Sequence, residues 1–219
     1  MVPAIVVLVA GLMTFLIIGP ATVMLTNLIV WGISALPEIV QLIACMAISL
    51  IYQPLVVFGQ HWFLSMISLV EFAMNGSTLV FALNFPASWA HMAVCAAIML
   101  RTKDEKLRRT ARDACISACF CIIEPSFYGV TLTVKKRFGI CMLSSAAGAL
   151  ILELTDSRMY GIVSGVIGLV GFIDPATGSI SGLLNGILAV MVTMVLGFAL
   201  TWITYTPSDD QLSASAADA

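Results

Sequence analysis

Three ionisable side chains stand inside apolar stretches of the sequence, where a charge is costly unless it is paired or functional. They are Glu124 and Asp174, each of which precedes a proline, and His61, which precedes Trp62. Carboxylate oxygens accept hydrogen bonds from neighbouring hydroxyls, an imidazole donates or accepts, and an indole covers the C–H face of a pyranose ring. Glu124, His61 and Trp62 are therefore typical of a site that binds a polyhydroxylated ligand.

Each candidate also has a structural interpretation. Glu124 can cap a helix terminus or bond Tyr128 to close a turn, although burying a carboxylate for that purpose alone costs several kcal/mol. His61 can equally be a histidine whose hydrogen bonds are satisfied locally, beside Gly59. For Asp174, an Asx turn ahead of the Pro-Ala-Thr-Gly sequence is a sufficient explanation, so we assign it no functional role.

The remaining polar candidates favour structural roles. His91 lies in a span rich in Met, Ala and Cys, and Glu71 is expected near a membrane interface. The six cysteines are interpreted as small apolar side chains, because no Cys-x-x-Cys pair or neighbouring histidine accompanies them. The sequence thus predicts neither a metal site nor a cofactor.

The composition indicates that lipid solvates much of the protein surface. Of the 219 residues, 60% are apolar and 10% are charged, and the net charge is −2. Soluble domains are about 45–50% apolar and about 25% charged. The small net negative charge gives no electrostatic basis for binding nucleic acid.

Five stretches are long and apolar enough to cross a bilayer, which takes about 20 residues. They are Pro3–Val30, Ile39–Phe58, Thr78–Leu100, Phe138–Leu154 and Ile180–Tyr205. We therefore predict an all-α membrane protein, a polytopic bundle of about five spanning helices. Residues 1–206 form the membrane domain, and residues 207–219 are predicted to be a disordered cytoplasmic tail.

The basic residues predict a re-entrant hairpin. Six of the ten lie between Arg101 and Arg112 and three more at 135–137, and the positive-inside rule places both groups in the cytoplasm. The apolar segment 114–134 between them must then enter the bilayer and return, turning near Glu124 and Pro125. Non-helical backbone at membrane depth occurs only where protein buries it or water lines it, so the hairpin implies a cavity. Residues 156–179, around Asp174, are predicted to form a second such hairpin.

Two motifs resemble the sugar permeases of the bacterial phosphotransferase system (PTS), in the EIIC domains of the glucose superfamily. Glu124-Pro-Ser-Phe-Tyr-Gly-Val130 is similar to their Gly-Ile-Thr-Glu-Pro-Ala-x-Tyr-Gly-Val signature. Val56-Val-Phe-Gly-Gln-His-Trp62 is similar to the Gly-x-His-Trp element of the β-glucoside branch. The resemblance runs from Pro3 to about Tyr205.

The resemblance implies a function and a set of site residues. His61 and Glu124 would bind the sugar near the middle of the bacterial cytoplasmic membrane, with Gly59, Trp62 and Tyr128 shaping the site. Glu124 would also act in catalysis by orienting, or taking the proton from, the sugar hydroxyl that is phosphorylated. The phosphate would come from a phosphocysteine on a partner EIIB domain, and relatives of this kind are homodimers.

The sequence departs from the family pattern in ways that leave alternatives open. Cys121, Ile123 and Ser126 stand where the signature has Gly, Thr and Ala, and Met66 replaces a proline after the His-Trp pair. Because a membrane segment follows Met1 directly, we expect the chain to be the C-terminal portion of an EIIC, which either pairs with a separately encoded front half or is a truncated remnant. Lacking an EIIB domain, the chain is not assigned phosphotransferase activity by itself. The alternatives are an ion-coupled secondary transporter that uses Glu124 for the coupling ion, an inactive remnant and a sugar sensor.

Overall fold

The computed structural model describes residues 2–34 and 37–210, which are helical and contain no strand. The α-helices are α1 (Val2–Met13), α2 (Gly19–Ser34), α3 (Glu38–Val57), α4 (His61–Asn75), α5 (Leu79–Asn84), α6 (Pro86–Arg101), α7 (Glu105–Cys119), α8 (Glu124–Ser126), α9 (Lys135–Leu154) and α10 (Ser181–Thr204). Two π-helical segments, Thr14–Ile18 and Phe127–Thr131, and one 3-10 helix, Val166–Phe172, complete them.

Four helical segments of the described residues are long and apolar enough to cross a membrane. They are Ile39–Val57, Leu79–Arg101, Lys135–Leu154 and Ser181–Thr204. They correspond to four of the five predicted spans, and the all-α membrane fold is confirmed. The first predicted span is a run of α1, π-helix and α2, in which Ile5–Ala21 forms a shorter apolar helix. Pro20 explains the π-helical segment. Proline has no backbone N–H to donate to the preceding turn, and its ring clashes with the carbonyl group of that turn.

Both basic segments lie at one end of the bundle. Asp210 accepts a hydrogen bond of 2.7 Å from Thr102, in the first segment, and its carboxylate lies 3.5 Å from the guanidinium of Arg137, in the second. Lys136, at the start of α9, donates to the backbone carbonyl of Thr204 at the end of α10. The chain between the two segments therefore returns to the end at which it started, as the charge distribution predicted.

The first hairpin, residues 105–134 (hairpin 1), consists of α7, a turn at 120–123 and a return through α8 and the second π-helix. Small residues of α7, among them Ala111 and Ala114, are buried in one cluster with Val94 and Cys95 of α6. The turn precedes the predicted position at Glu124 and Pro125. At its centre, Cys121 has a φ of +64°, the left-handed conformation that normally takes glycine.

The second hairpin, residues 155–180 (hairpin 2), enters from the opposite end of the bundle. Its base is tied to α10 by the amide of Asn185, which donates to the hydroxyl of Ser157 over 3.1 Å. Its tip reaches the tip of hairpin 1. A Cβ atom at Gly165 would lie 2.5 Å from the carbonyl oxygen of Cys119, and φ at Gly165 is +68°, so glycine is required there on both counts.

Glu71 is buried and caps α5. Its carboxylate accepts hydrogen bonds from the Thr78 hydroxyl at 2.7 Å and from the backbone N–H groups of Leu79 and Val80 at 3.0 and 3.2 Å. These donors include amides of the first helical turn, which have no partner within the helix. The prediction that placed Glu71 near a membrane interface missed this role.

The start of the predicted tail is packed against the bundle. Asp209 bonds the ammonium of Lys136 at 2.9 Å and the backbone N–H of Thr206 at 3.1 Å, and Tyr205 donates to Asp210 at 2.6 Å. Within the predicted tail, Asp209 and Asp210 thus contact the basic end of the bundle. The rest of the predicted tail, 211–219, lies outside the described residues.

Candidate functional site

A narrow cleft lies where the tips of the two hairpins meet. Its lining combines hydroxyl, amide, thiol and aromatic side chains, from Tyr52, Ser65, Ser68, Phe81, Asn84, Phe85, Cys121 and Ser164. Only about 20 Å³ is open to the centre of a water molecule, so the cleft is nearly closed in this conformation.

Asn84, which lines the cleft, has a side-chain oxygen that receives no hydrogen bond. Its side chain is 9% exposed, and its Oδ1 atom has no hydrogen-bond partner among the described residues. A buried polar atom left without a partner costs about 1–3 kcal/mol. The rings of Phe81 and Phe85 line the same cleft, so it offers the apolar faces and polar acceptor that a sugar ring requires.

Tyr52, on α3, connects the cleft with one of the predicted site residues, His61. Its ring meets the His61 ring edge-on, with centroids 6.3 Å apart. It lines the cleft together with Cys121. The Nδ1 atom of His61 is buried and has no hydrogen-bond partner among the described residues. The structure therefore places His61 beside Tyr52, a residue of the cleft that sequence reasoning had not selected.

Glu124 and Tyr128 lie on the exposed side of the return arm of hairpin 1. Both side chains are exposed and one helical turn apart, whereas Ser126 and Phe127 between them are buried. Glu124 is the first residue of the three-residue helix α8. The carboxylate and phenol are thus presented outward, beside the cleft.

Trp62 and Gly59 lie outside the cleft. Trp62 is 63% exposed and lines a separate apolar groove with Ile17 and Ile18 of the first π-helical segment. Gly59 has a φ of +70° in the turn that joins α3 to α4, and no atom lies within 4 Å of where its Cβ would be. Its conformation accounts for glycine there without a ligand.

Asp174 forms the Asx turn that the sequence predicted. Its carboxylate accepts from the backbone N–H of Ala176 and from the hydroxyl of Thr177, both at 2.8 Å. These hydrogen bonds hold the pKa of Asp174 below its ordinary value. The turn shapes the base of hairpin 2 and lies away from the cleft.

Comparison with known proteins assigns the fold to a family. The family model described as Phosphotransferase system, EIIC matches residues 1–146. The chain belongs to the EIIC family of the phosphotransferase system. No solved structure matches this EIIC chain.

Curated relatives of this EIIC chain are named for β-glucosides and for sucrose. A β-glucoside-specific EIIBCA component of Halalkalibacterium halodurans is 34% identical over 87% of this chain and 30% of its own length. One from Dickeya chrysanthemi is 27% identical over 98% of this chain and 34% of its own length. A sucrose-specific EIIBCA component of Pediococcus pentosaceus is 26% identical over 92% of this chain and 31% of its own length. The chain thus spans about a third of the length of these relatives.

Proposed function

We propose that this EIIC chain is the sugar-binding part of a PTS permease in the bacterial cytoplasmic membrane, and that its substrate is a β-glucoside. Membership of the EIIC family and the names of the relatives support the class of activity. The observation that carries the proposal is the cleft between the hairpin tips, in which aromatic faces and an unpartnered amide oxygen stand beside Tyr52. A pyranose supplies hydroxyl donors for the unpartnered oxygen and an apolar C–H face for the aromatic rings.

In the proposed complex, the sugar lies against Tyr52 between His61 and Glu124. Asn84 accepts from one sugar hydroxyl, and His61 bonds another through its unpartnered Nδ1 atom. Because the cleft is nearly closed, sugar entry requires the two hairpin tips to move apart. At the tips, Gly165 packs against the backbone of Cys119 and Phe120, and these contacts must open for the sugar to enter.

Glu124 is proposed to act on the reacting hydroxyl. The sugar oxygen attacks the phosphorus of a phosphocysteine on a partner EIIB domain, an oxygen–phosphorus bond forms, and the sulfur–phosphorus bond breaks. The thiolate leaves on EIIB and the hydroxyl proton passes to the carboxylate of Glu124, which balances the step. Besides EIIB, the proposed partners are a second copy of the chain and the remaining part of an EIIC unit.

The test is formation of labelled phospho-β-glucoside in membranes that contain the chain, the rest of the EIIC unit and phosphorylated EIIB. Glu124→Gln keeps the size of the side chain but cannot accept the proton, so we expect product formation to fall at least about 100-fold. Asp113→Asn is the matched control, since Asp113 is an exposed carboxylate on α7, paired only with Arg112 among the described residues. Equal product from wild type and Glu124→Gln would remove Glu124 from the site. Uptake without phosphorylated EIIB would instead indicate an ion-coupled transporter, and failure with every sugar an inactive remnant.

A further inference from the structure

A buried polar cluster lies directly behind Glu124. The hydroxyl of Ser126, in the same three-residue helix, is 2.9 Å from Nδ1 of His91 and 3.1 Å from the thiol sulfur of Cys95. His91 and Cys95 are one helical turn apart on α6, and all three side chains are buried. The cluster therefore joins the return arm of hairpin 1 to a spanning helix.

His91 is held in a fixed orientation. Its ring is fully buried, and its centroid lies 4.2 Å from that of the Phe127 ring. The sulfur of Cys141, on α9, lies 3.7 Å from the same Nδ1 atom. Packing on these sides fixes the ring, so the hydrogen bond to Ser126 has a defined direction. The Nε2 atom of His91 has no hydrogen-bond partner among the described residues, so Nδ1 carries the polar contact.

We propose that His91 is a positioning residue for Glu124, and that it acts through the Ser126 hydroxyl; the role in transport rests on the proposed function. Ser126 follows Glu124 by two positions, with the rigid Pro125 between them, so the two side chains leave α8 on opposite sides. Ser126 points into the protein while Glu124 points out. Fixing the inner side chain therefore sets the direction of the outer one.

The backbone of the return arm is held by the same residue. The hydroxyl of Thr131 donates to the carbonyl oxygen of Ser126 at 3.2 Å, which closes the wide turn of the π-helix. The neighbouring side chains of Ile123 and Phe127 are apolar and buried. They hold the return arm against the bundle but form no directional hydrogen bond. Among these neighbours, the Ser126 side chain supplies the directional contact with α6.

Two substitutions at position 91 separate positioning from packing. In His91→Asn, the amide group occupies nearly the place of Nδ1 and can bond Ser126, whereas in His91→Gln it occupies nearly the place of Nε2. We expect His91→Gln to lower kcat for phospho-β-glucoside formation about tenfold, or about 1.4 kcal/mol, and KM to change less than about threefold. His91→Asn should recover most of the loss. Ser126→Ala should lower kcat similarly and add nothing in a chain that already carries His91→Gln.

A second readout does not depend on transport. Cys121, at the tip of hairpin 1, can be alkylated with a maleimide in a chain whose Cys115 and Cys119 are replaced by alanine. Loosening of the return arm in His91→Gln should raise the alkylation rate at least about threefold, while His91→Asn stays near the parent rate. If no sugar is phosphorylated by any variant, the proposed function fails, yet this rate still decides whether His91 holds the hairpin. Equal alkylation rates and equal kcat in His91→Asn and His91→Gln would overturn the proposal.

Discussion

Replacement of Cys121 by glycine is expected to stabilise the tip of hairpin 1. Cys121 adopts a φ of +64° in the turn at 120–123. For a residue with a Cβ atom, the left-handed conformation costs about 1–2 kcal/mol. Glycine removes that cost, but its greater conformational entropy stabilises the unfolded chain by about 0.4–1 kcal/mol. The net preference for glycine over a residue with a Cβ therefore lies between about 0 and 1.6 kcal/mol, with a midpoint of about 0.8 kcal/mol.

The comparison that isolates the backbone is Cys121→Gly against Cys121→Ala. Both variants lose the thiol, so the difference between them is the cost of the Cβ atom at positive φ. Unfolding in mixed micelles with increasing SDS, followed by tryptophan fluorescence, should show a higher midpoint for glycine than for alanine. Gly139 supplies the control, because it lies within α9 and nothing stands within 4 Å of its missing Cβ. There the order should be reversed, with Gly139→Ala more stable by about 0.4–1 kcal/mol. A Cys121→Gly variant no more stable than Cys121→Ala would refute the reasoning.

Three further predictions follow from the fold. Single cysteines introduced at Lys103 and at Lys135 should both react with an impermeant maleimide only from the cytoplasmic side; reaction from opposite sides would eliminate hairpin 1. Gly148→Ala should destabilise the protein by about 1–3 kcal/mol, because the new Cβ would lie 2.1 Å from the Thr193 hydroxyl oxygen. An unchanged unfolding midpoint would contradict this close packing of α9 and α10. Burial alone would raise the pKa of Asp209, but hydrogen bonds, including that from the α9 ammonium, hold it below its ordinary value of 3.8. Docking of residues 207–210 should therefore be complete above that pH and be lost as the pH falls through the lowered pKa; protease cleavage there at neutral pH would count against it.

Charge and hydropathy were sufficient to predict most of the architecture. Apolar length located the spans, and the two basic segments required the chain between them to return to the same end. These signals are reliable because lipid offers the backbone no hydrogen-bond partners. Backbone at membrane depth must therefore be helical or enclosed by protein. The Asx turn at Asp174 was equally predictable, since its hydrogen bonds are local in sequence.

The turn in hairpin 1 lies just ahead of Glu124 and Pro125, near which it was predicted. The chain turns where Cys121 is left-handed. Nothing about a cysteine signals that conformation. The available signal was the glycine that the resembling signature carries at this position, which a left-handed turn explains.

The site could be predicted only in part, because its geometry depends on contacts between distant segments. Tyr52 and Asn84 meet Cys121 across the cleft, and a single sequence gives no sign of that juxtaposition. The same holds for His91, whose partner Ser126 is 35 residues away. Trp62 was selected for its neighbour His61, yet adjacent residues of a helix face different directions, and its ring lines another groove.

The most direct test of the account is protection of Cys121 by sugar. In a chain whose Cys115 and Cys119 are alanine, the maleimide reaction at Cys121 reports on the cleft between the hairpin tips. A β-glucoside bound there should slow alkylation in proportion to occupancy, and a sugar that is not phosphorylated should leave the rate unchanged. Alkylation that proceeds at the same rate in saturating substrate would contradict the claim that the sugar binds between the two hairpin tips.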